Sequence, residues 1–289
     1  MDFPVLSIPT RPLPFTLIRP AVQSMPIVFA SPHSGRDYPP CFLEAARLDA
    51  TNLRRSEDSF VDELFGDAPK LGAPLLAATF PRAYCDPNRE MWELDPTMFV
   101  DALPPWVNTT SARVGAGLGT LARVVATGEA IYRDKLPFSE AEFRVESCWK
   151  PYHAALAELI ATTRTRFAAC LLIDCHSMPA HQGRGTPPHF VLGDAHGTAC
   201  APRIIRLVEQ TLSSMGYDVR RNDPYAGGYV TRHYGRPRER VHALQIELAR
   251  SLYMDEARFV RTRGFDTLRR NLSILATQLA AAAPDLLAN

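Results

Sequence analysis

The chain has 289 residues, 46% hydrophobic and 22% charged, with 32 basic against 31 acidic side chains and a formal net charge of +1. This is the composition of an ordinary globular protein; its neutral balance excludes a general attraction for nucleic acid or anionic membrane, so anions are bound only locally. No run approaches the roughly 18 apolar residues of a membrane-spanning helix.

The opening MDFPVLSIPTRPLPF has no basic region followed by an apolar core, which sets the expectation of a cytoplasmic protein. Prolines at positions 4, 9, 12, 14 and 20 exclude a helix from residues 1–24, read as an extended arm ahead of one domain over 25–289. MPIVFAS (25–31) is short, apolar and rich in β-formers, and predicts a buried strand that stops at PHSG, leaving His33 on the following loop. Residues 54–72 space Phe60, Leu64 and Phe65 as a helical face, with Ser56 as N-cap and Gly66 near the end. APLLAATF (73–80) predicts a second strand, running into PRAYCDPNRE (81–90). Residues 140–167 predict a long helix broken at Pro151, and CLLIDC (170–175) a central strand buried on both faces of a parallel sheet and ending on His176. FVLGD, a helix over 203–215, YDVRRN, the glycine loop YAGGYVTRHYG (225–235) and the strand VHALQIELA (241–249) follow. RTRF (164–167) and ARFVRTR (257–263) read as solvated basic helix faces, and the six cysteines, which form no C-x-x-C pair, as reduced core residues. Strands alternating with helices predict a single α/β domain with a mixed, mostly parallel sheet flanked by helices.

Ligands of open α/β sheets bind at the carboxyl ends of the strands, and four apolar runs here end in a polar residue. They deliver His33, Arg82 with the DPNR turn, His176 and Glu247. Two imidazoles and one carboxylate make the three-ligand set of a catalytic zinc site. Glu57 and Asp58 are the candidates for the carboxylate, and about 100° apart on a helix only one of them reaches the metal. Asp174, two residues before His176 on the same side of the strand, is placed to orient the site. Alternation along ALQIELA sets Glu247 opposite Leu244, Ile246 and Leu248, so the carboxylate needs a partner: either water at the metal or a salt bridge to Arg250 or Arg232. Asn88 and Arg89 on a proline-stiffened turn suit a substrate carboxylate, and the alternative is a salt bridge from Arg89 to Asp86 or Glu90. Gly228 and Thr231 either line the same pocket, with His233 and Tyr234, or belong to a plain glycine turn. His153, His189, His196 and His242 read as structural.

PHSGRDYPP, EDSFVDELF, FPRAYCDPNRE, LLIDCHSMP, FVLGDAHG, YAGGYVTRHYG and ALQIELARSLYMDE, in this order from residue 28 to 256, together resemble the N-formylglutamate amidohydrolase family. The resemblance extends to zinc carboxypeptidases and aspartoacylases, and implies their twisted mixed sheet and one zinc ion at an amide-cleaving site. Those relatives draw two ligands from an H-x-x-E unit, whereas His33 is followed by Ser34, Gly35 and Arg36. The resemblance therefore implies Asp58 as the replacement ligand with His33 and His176, Arg82 at the scissile carbonyl, and Asn88 and Arg89 on the substrate carboxylate; the placement of Glu247 at a strand end beside such a site suits it to act as general base. The function it implies is removal of the formyl group from N-formyl-L-glutamate, a small-molecule substrate, giving glutamate and formate. Hydrolysis of another N-acyl amino acid or a peptide is the second reading, and a non-catalytic binding protein of the same fold the third.

Overall fold

The computed structural model describes residues 12–125, 127–179 and 187–286. Seven strands, β1 Phe15–Ile18, β2 Ile27–Ser31, β3 Leu75–Ala78, β4 Cys170–Met178, β5 Phe190–Gly193, β6 Val219–Arg221 and β7 Val241–Ala249, form one sheet in the order β1-β3-β2-β4-β7-β5-β6. The central strands β3, β2, β4 and β7 run parallel, β1 and β5 join antiparallel, and β6 is parallel to β5. This is the expected mixed, mostly parallel sheet in a single α/β domain. Residues 1–11 of the predicted arm lie outside the described residues, and Phe15–Ile18 within it pair with β3 at the sheet edge.

Four short helices, α1 Pro40–Ala45, α2 Ala50–Leu53, α3 Val61–Leu64 and α4 Ala68–Leu71, connect β2 to β3. Helices α5 Ala112–Gly115, α6 Phe138–Arg144 and α7 Lys150–Phe167 lie between β3 and β4, α8 Pro202–Ser214 between β5 and β6, α9 Tyr229–Tyr234 between β6 and β7, and α10 Gly264–Leu286 after the sheet. Alternation along the strands divides the core in two. Phe29, Ile173, Leu244 and Ile246 pack with Ile204 and Val208 of α8 and Leu268, Leu272 and Leu275 of α10. Val28, Ala30, Leu172 and Ala243 face the other way, against Tyr152, Leu156 and Leu159 of α7. At about 1.5–3 kcal/mol per fully buried large aliphatic or aromatic side chain, these two layers stabilise a frame able to carry buried charge at one edge.

Several predicted elements differ in detail. Between β2 and β3 a 3-10 turn, Arg54–Ser56, ends before Glu57, whose backbone is extended (φ −69°, ψ 146°). Glu57 and Asp58 therefore lie on a loop and not on a helix. The long helix runs through a π turn, Val145–Trp149, directly before α7. Pro151 has no N–H to give to the preceding turn, which is where helices widen or bend. The glycine loop becomes helix α9 from Tyr229, with Gly228 as its N-cap. ARFVRTR is not helical: Val260–Arg261 form β9, paired with β8, Met254–Asp255. All six cysteines are free and five are buried, Cys41 being exposed. Among the described residues no helix is long and apolar enough to cross a membrane.

Candidate active site

The carboxyl ends of β3, β2, β4 and β7 meet at a cleft of about 420 Å³, within the range of small-molecule sites. His33 follows β2 by two residues, and the Asp58 N–H donates to the His33 carbonyl (3.0 Å), tying the two loops together. β4 continues past the predicted boundary to Met178, so His176 is a strand residue in register with Glu247 of β7, and Asp174 with Gln245. All four face the α7 side, as alternation requires.

Asp58 Oδ2 lies 3.0 Å from His176 Nδ1 and 3.4 Å from His33 Nδ1. His33 Nδ1 is buried and has no hydrogen-bond partner among the described residues. Bonds of about 2.0–2.1 Å to a tetrahedral zinc place ligand atoms about 3.3 Å apart, so a cation of that size fits this donor set. The outward nitrogens are held as metal-binding histidines require. His33 Nε2 donates to Asp86 Oδ1 (2.7 Å), and His176 Nε2 to Asp174 Oδ1 (2.9 Å). The second oxygen of Asp58 is occupied by Ser177 Oγ and Arg250 Nη2, each at 3.3 Å. Extended backbone sends neighbouring side chains to opposite sides. Glu57 accordingly turns away, accepting from Tyr38 Oη (2.7 Å), Ser59 Oγ (2.8 Å) and Arg54 Nε (3.2 Å).

Asp86 is the site residue that sequence reasoning counted only as a partner for Arg89. Besides His33 it accepts from Arg82 Nη2 (2.6 Å) and from the Asn88 N–H (2.8 Å). Burial alone would raise its pKa, but Arg82, His33 and Arg89 hold the carboxyl well below the usual range. Asp58 is likewise held low, against the effect of burial, by His176 and His33 beside it. Replacing Asp86 with Asn should leave the fold intact and weaken metal binding about 10- to 100-fold, read by competition with a chromogenic chelator.

Glu247 has the opposite environment. It is 6% exposed and, among the described residues, its hydrogen-bond partner is the Gln245 amide (Nε2 to Oε1, 2.9 Å), itself oriented by the Gly228 N–H (2.9 Å). Burial pushes its pKa up to about 7, with His176 pulling down and Asp58 pushing up. Arg250, one of the salt-bridge partners considered for it, is turned toward Asp58, and Arg232 is exposed.

The DPNR turn is braced from behind by the helix that runs from α6 to α7. Arg144 Nη1 donates to the Tyr84 carbonyl (3.1 Å), His153 Nε2 to Pro87 (2.8 Å) and Trp149 Nε1 to Arg89 (3.0 Å). Burial lowers the His153 pKa to about 4, keeping the ring neutral, as its structural reading requires. Asn88 accepts from the Val230 N–H (2.8 Å), and its amide nitrogen lies 3.2 Å from His176 Nε2. A Cβ on Gly228 would come within 2.3 Å of that amide, so this position needs glycine. Arg89 is buried and donates to the Leu118 carbonyl (2.8 Å) and to its own neighbour, the Asn88 carbonyl (2.9 Å). Among the described residues its ion-pair partner is Asp86 at 3.9 Å, and no bond to Glu90 is present. Arg82, Asn88, Arg89, Gly228 and Glu247 line the cleft with the His33, Asp58 and His176 group. Thr231 is fully buried behind it, donating to Asp174 Oδ2 (3.2 Å).

Fold and site together have the equipment of a hydrolytic enzyme built on a mixed α/β sheet: a group able to hold a cation, a glutamate beside it, and guanidinium groups in one cleft. The family model described as N-formylglutamate amidohydrolase matches residues 25–254, and the chain belongs to that family. It is 31% identical over 238 residues to the N-formylglutamate deformylases of Pseudomonas aeruginosa and Pseudomonas putida, covering 80% of this chain and 83% of each relative. The crystal structure of N-formylglutamate amidohydrolase from Ralstonia eutropha JMP134 superimposes with a TM-score of 0.88 at 39% identity, covering 94% of this chain and 99% of that one. A gene product of Agrobacterium tumefaciens shares the fold, with a TM-score of 0.66 at 16% identity.

Proposed function

We propose that this protein hydrolyses N-formyl-L-glutamate to L-glutamate and formate, using one zinc ion held by His33, Asp58 and His176. The observation that carries the reading is the convergence of His33 Nδ1, His176 Nδ1 and Asp58 Oδ2 beside Glu247. Membership of the family and the activity named for its Pseudomonas relatives support the substrate. When bound, zinc supplies a Lewis acid that polarises the formyl carbonyl and acidifies water. Glu247 takes a proton from the attacking water and passes it to the departing amide nitrogen. The amide from Gln245 holds one Glu247 oxygen in place during the transfer. Arg82, kept charged by Asp86, stabilises the negative charge that develops on the formyl oxygen. Formate release assayed on N-formylglutamate, with zinc content measured and activity followed through chelation and re-addition, tests this reading. Absence of deformylase activity in zinc-loaded protein overturns it.

Arg89 and Asn88 bind a substrate carboxylate. Burial draws the Arg89 guanidinium down to about 10, and Asp86 at 3.9 Å compensates it only in part. A carboxylate entering the cleft relieves that deficit. Arg89→Lys keeps the charge but loses the planar fork, so kcat/KM on N-formylglutamate should fall 10- to 100-fold, about 1.4 to 3 kcal/mol. Unchanged kinetics would assign Arg89 to packing alone.

A further inference from the structure

The cleft carries more positive charge than a single carboxylate requires. Four guanidinium groups line it, from Arg82, Arg89, Arg113 and Arg250. Arg82 is matched by Asp86 (2.6 Å) and Arg250 by Asp58 (3.3 Å). Arg89 has only the 3.9 Å approach to Asp86, and the Arg113 side chain makes no ion pair or hydrogen bond among the described residues.

The backbone brings these last two together. Leu118 accepts from Arg89 Nε through its carbonyl (2.8 Å), while its N–H donates to the Arg113 carbonyl (2.8 Å). The Arg113 charge is near enough to add to the effect of burial on Arg89. Leu118, Ala122 and Val124 line the cleft beside them as an aliphatic strip. Two neighbouring cations repel unless an anion is shared between them or each receives its own. A glutamate-type ligand has that form, with two carboxylates separated by a short stem of methylenes that the strip can cover. Arg113 is an exposed residue on α5, which suits the end of a ligand that reaches the mouth of the cleft.

We propose that Arg113 is a specificity-determining residue: it takes the second carboxylate of the substrate while Arg89 holds the first, so the cleft selects N-formyl amino acids with an acidic side chain. The proposal rests on the N-formyl amino acid reading given above. Sequence pattern alone does not single out Arg113, because SARVGAG has no feature that separates it from other surface arginines.

The test combines a binding arm with a kinetic arm. Zinc-loaded wild type and Arg113→Gln are titrated calorimetrically with glutarate and with its neutral-ended monoamide, glutaramate. Wild type should prefer glutarate by about tenfold or more, and the variant by less than threefold, with unchanged melting temperature. In the kinetic arm, kcat/KM of Arg113→Gln should fall 10- to 100-fold on N-formylglutamate and stay within twofold on N-formylglutamine, with Arg113→Lys recovering part of the loss. A wild type with no preference for the diacid, or a variant that keeps it, overturns the proposal. If wild type discriminates between glutarate and glutaramate yet releases no formate, the deformylase reading fails and the subsite stands. If deformylation is intact but the preference survives in the variant, the subsite fails alone.

Discussion

Replacing Glu247 with Gln is expected to lower kcat for formate release about 10²- to 10⁴-fold while zinc content and melting temperature stay at wild-type values. The side chain is buried, its hydrogen-bond partner among the described residues is a neutral amide, and it stands beside His176 on the adjacent strand. A glutamine fits the same space and can turn its oxygen toward the Gln245 amide, so the fold loses nothing comparable. The pH profile gives a second readout. Glu247 acts as a base only when ionised, so kcat/KM falls tenfold per unit as pH drops through its pKa. Burial raises that pKa to about 7, and a cation held by the neighbouring histidines draws it down again, so the acid limb should lie at or below about 7. The limb should vanish in the Gln variant. An active Gln variant that melts early would instead mark Glu247 as a structural residue.

His176→Ala is the second large effect. Loss of this ring should abolish stoichiometric zinc binding and, with it, about 10³-fold or more of the activity, since a catalytic metal contributes several kcal/mol. The ring also separates the buried acids Asp58 and Asp174, so the variant should melt at a lower temperature. Asp58→Asn, nearly isosteric, separates the two consequences, because it removes a charged ligand without opening a cavity. Stoichiometric zinc in folded His176→Ala protein would overturn the ligand assignment.

The sheet was legible because its central strands announce themselves. CLLIDC is a continuous apolar run, as a strand covered by helices on each side must be, and within VHALQIELA the run ALQIELA alternates an aliphatic face with a small and polar one; the two segments became β4 and β7. Alternation also predicted the face on which Glu247 emerges. Its alignment opposite His176 is a matter of register, which depends on the partner strand and is absent from a linear pattern. Asp58 could not be separated from Glu57 because a helical spacing was read where tertiary bonds prevail: the Asp58 N–H is committed to His33, and Phe60 takes a left-handed conformation (φ 67°) that starts α3 later. Asp86 was visible as a charge, but whether it meets Arg89 or His33 is decided by the fold of the DPNR turn. Arg250 and Gln245 were missed as site residues for a similar reason, since each acts through a contact on another strand or loop. The edge strand β1 lies in a proline-rich stretch whose local signal is only that it is not helical.

The brace behind the DPNR turn would make the two halves of the proposed substrate recognition thermodynamically unlike each other. Three side chains from a single helical rod fasten the carbonyls of Tyr84, Pro87 and Arg89, so the conformational entropy of that turn is lost when the protein folds. A ligand meeting Asn88 and Arg89 encounters groups already in position and forfeits little of its binding energy to ordering them. Arg113 stands on a one-turn helix capped by Ser111 and held by few long-range bonds, so its long side chain must give up rotamer freedom on contact. Hydrogen exchange should register the contrast: the Asn88 and Arg89 amides, bonded to Asp86, exchange with global unfolding, and those of residues 113–118 by local opening, which ligand suppresses. On the proposed assignment, the clamp for one carboxylate would behave as a fixed jaw and the other as an adjustable one, so that a single cleft would hold one end of its ligand rigidly while tolerating movement at the other.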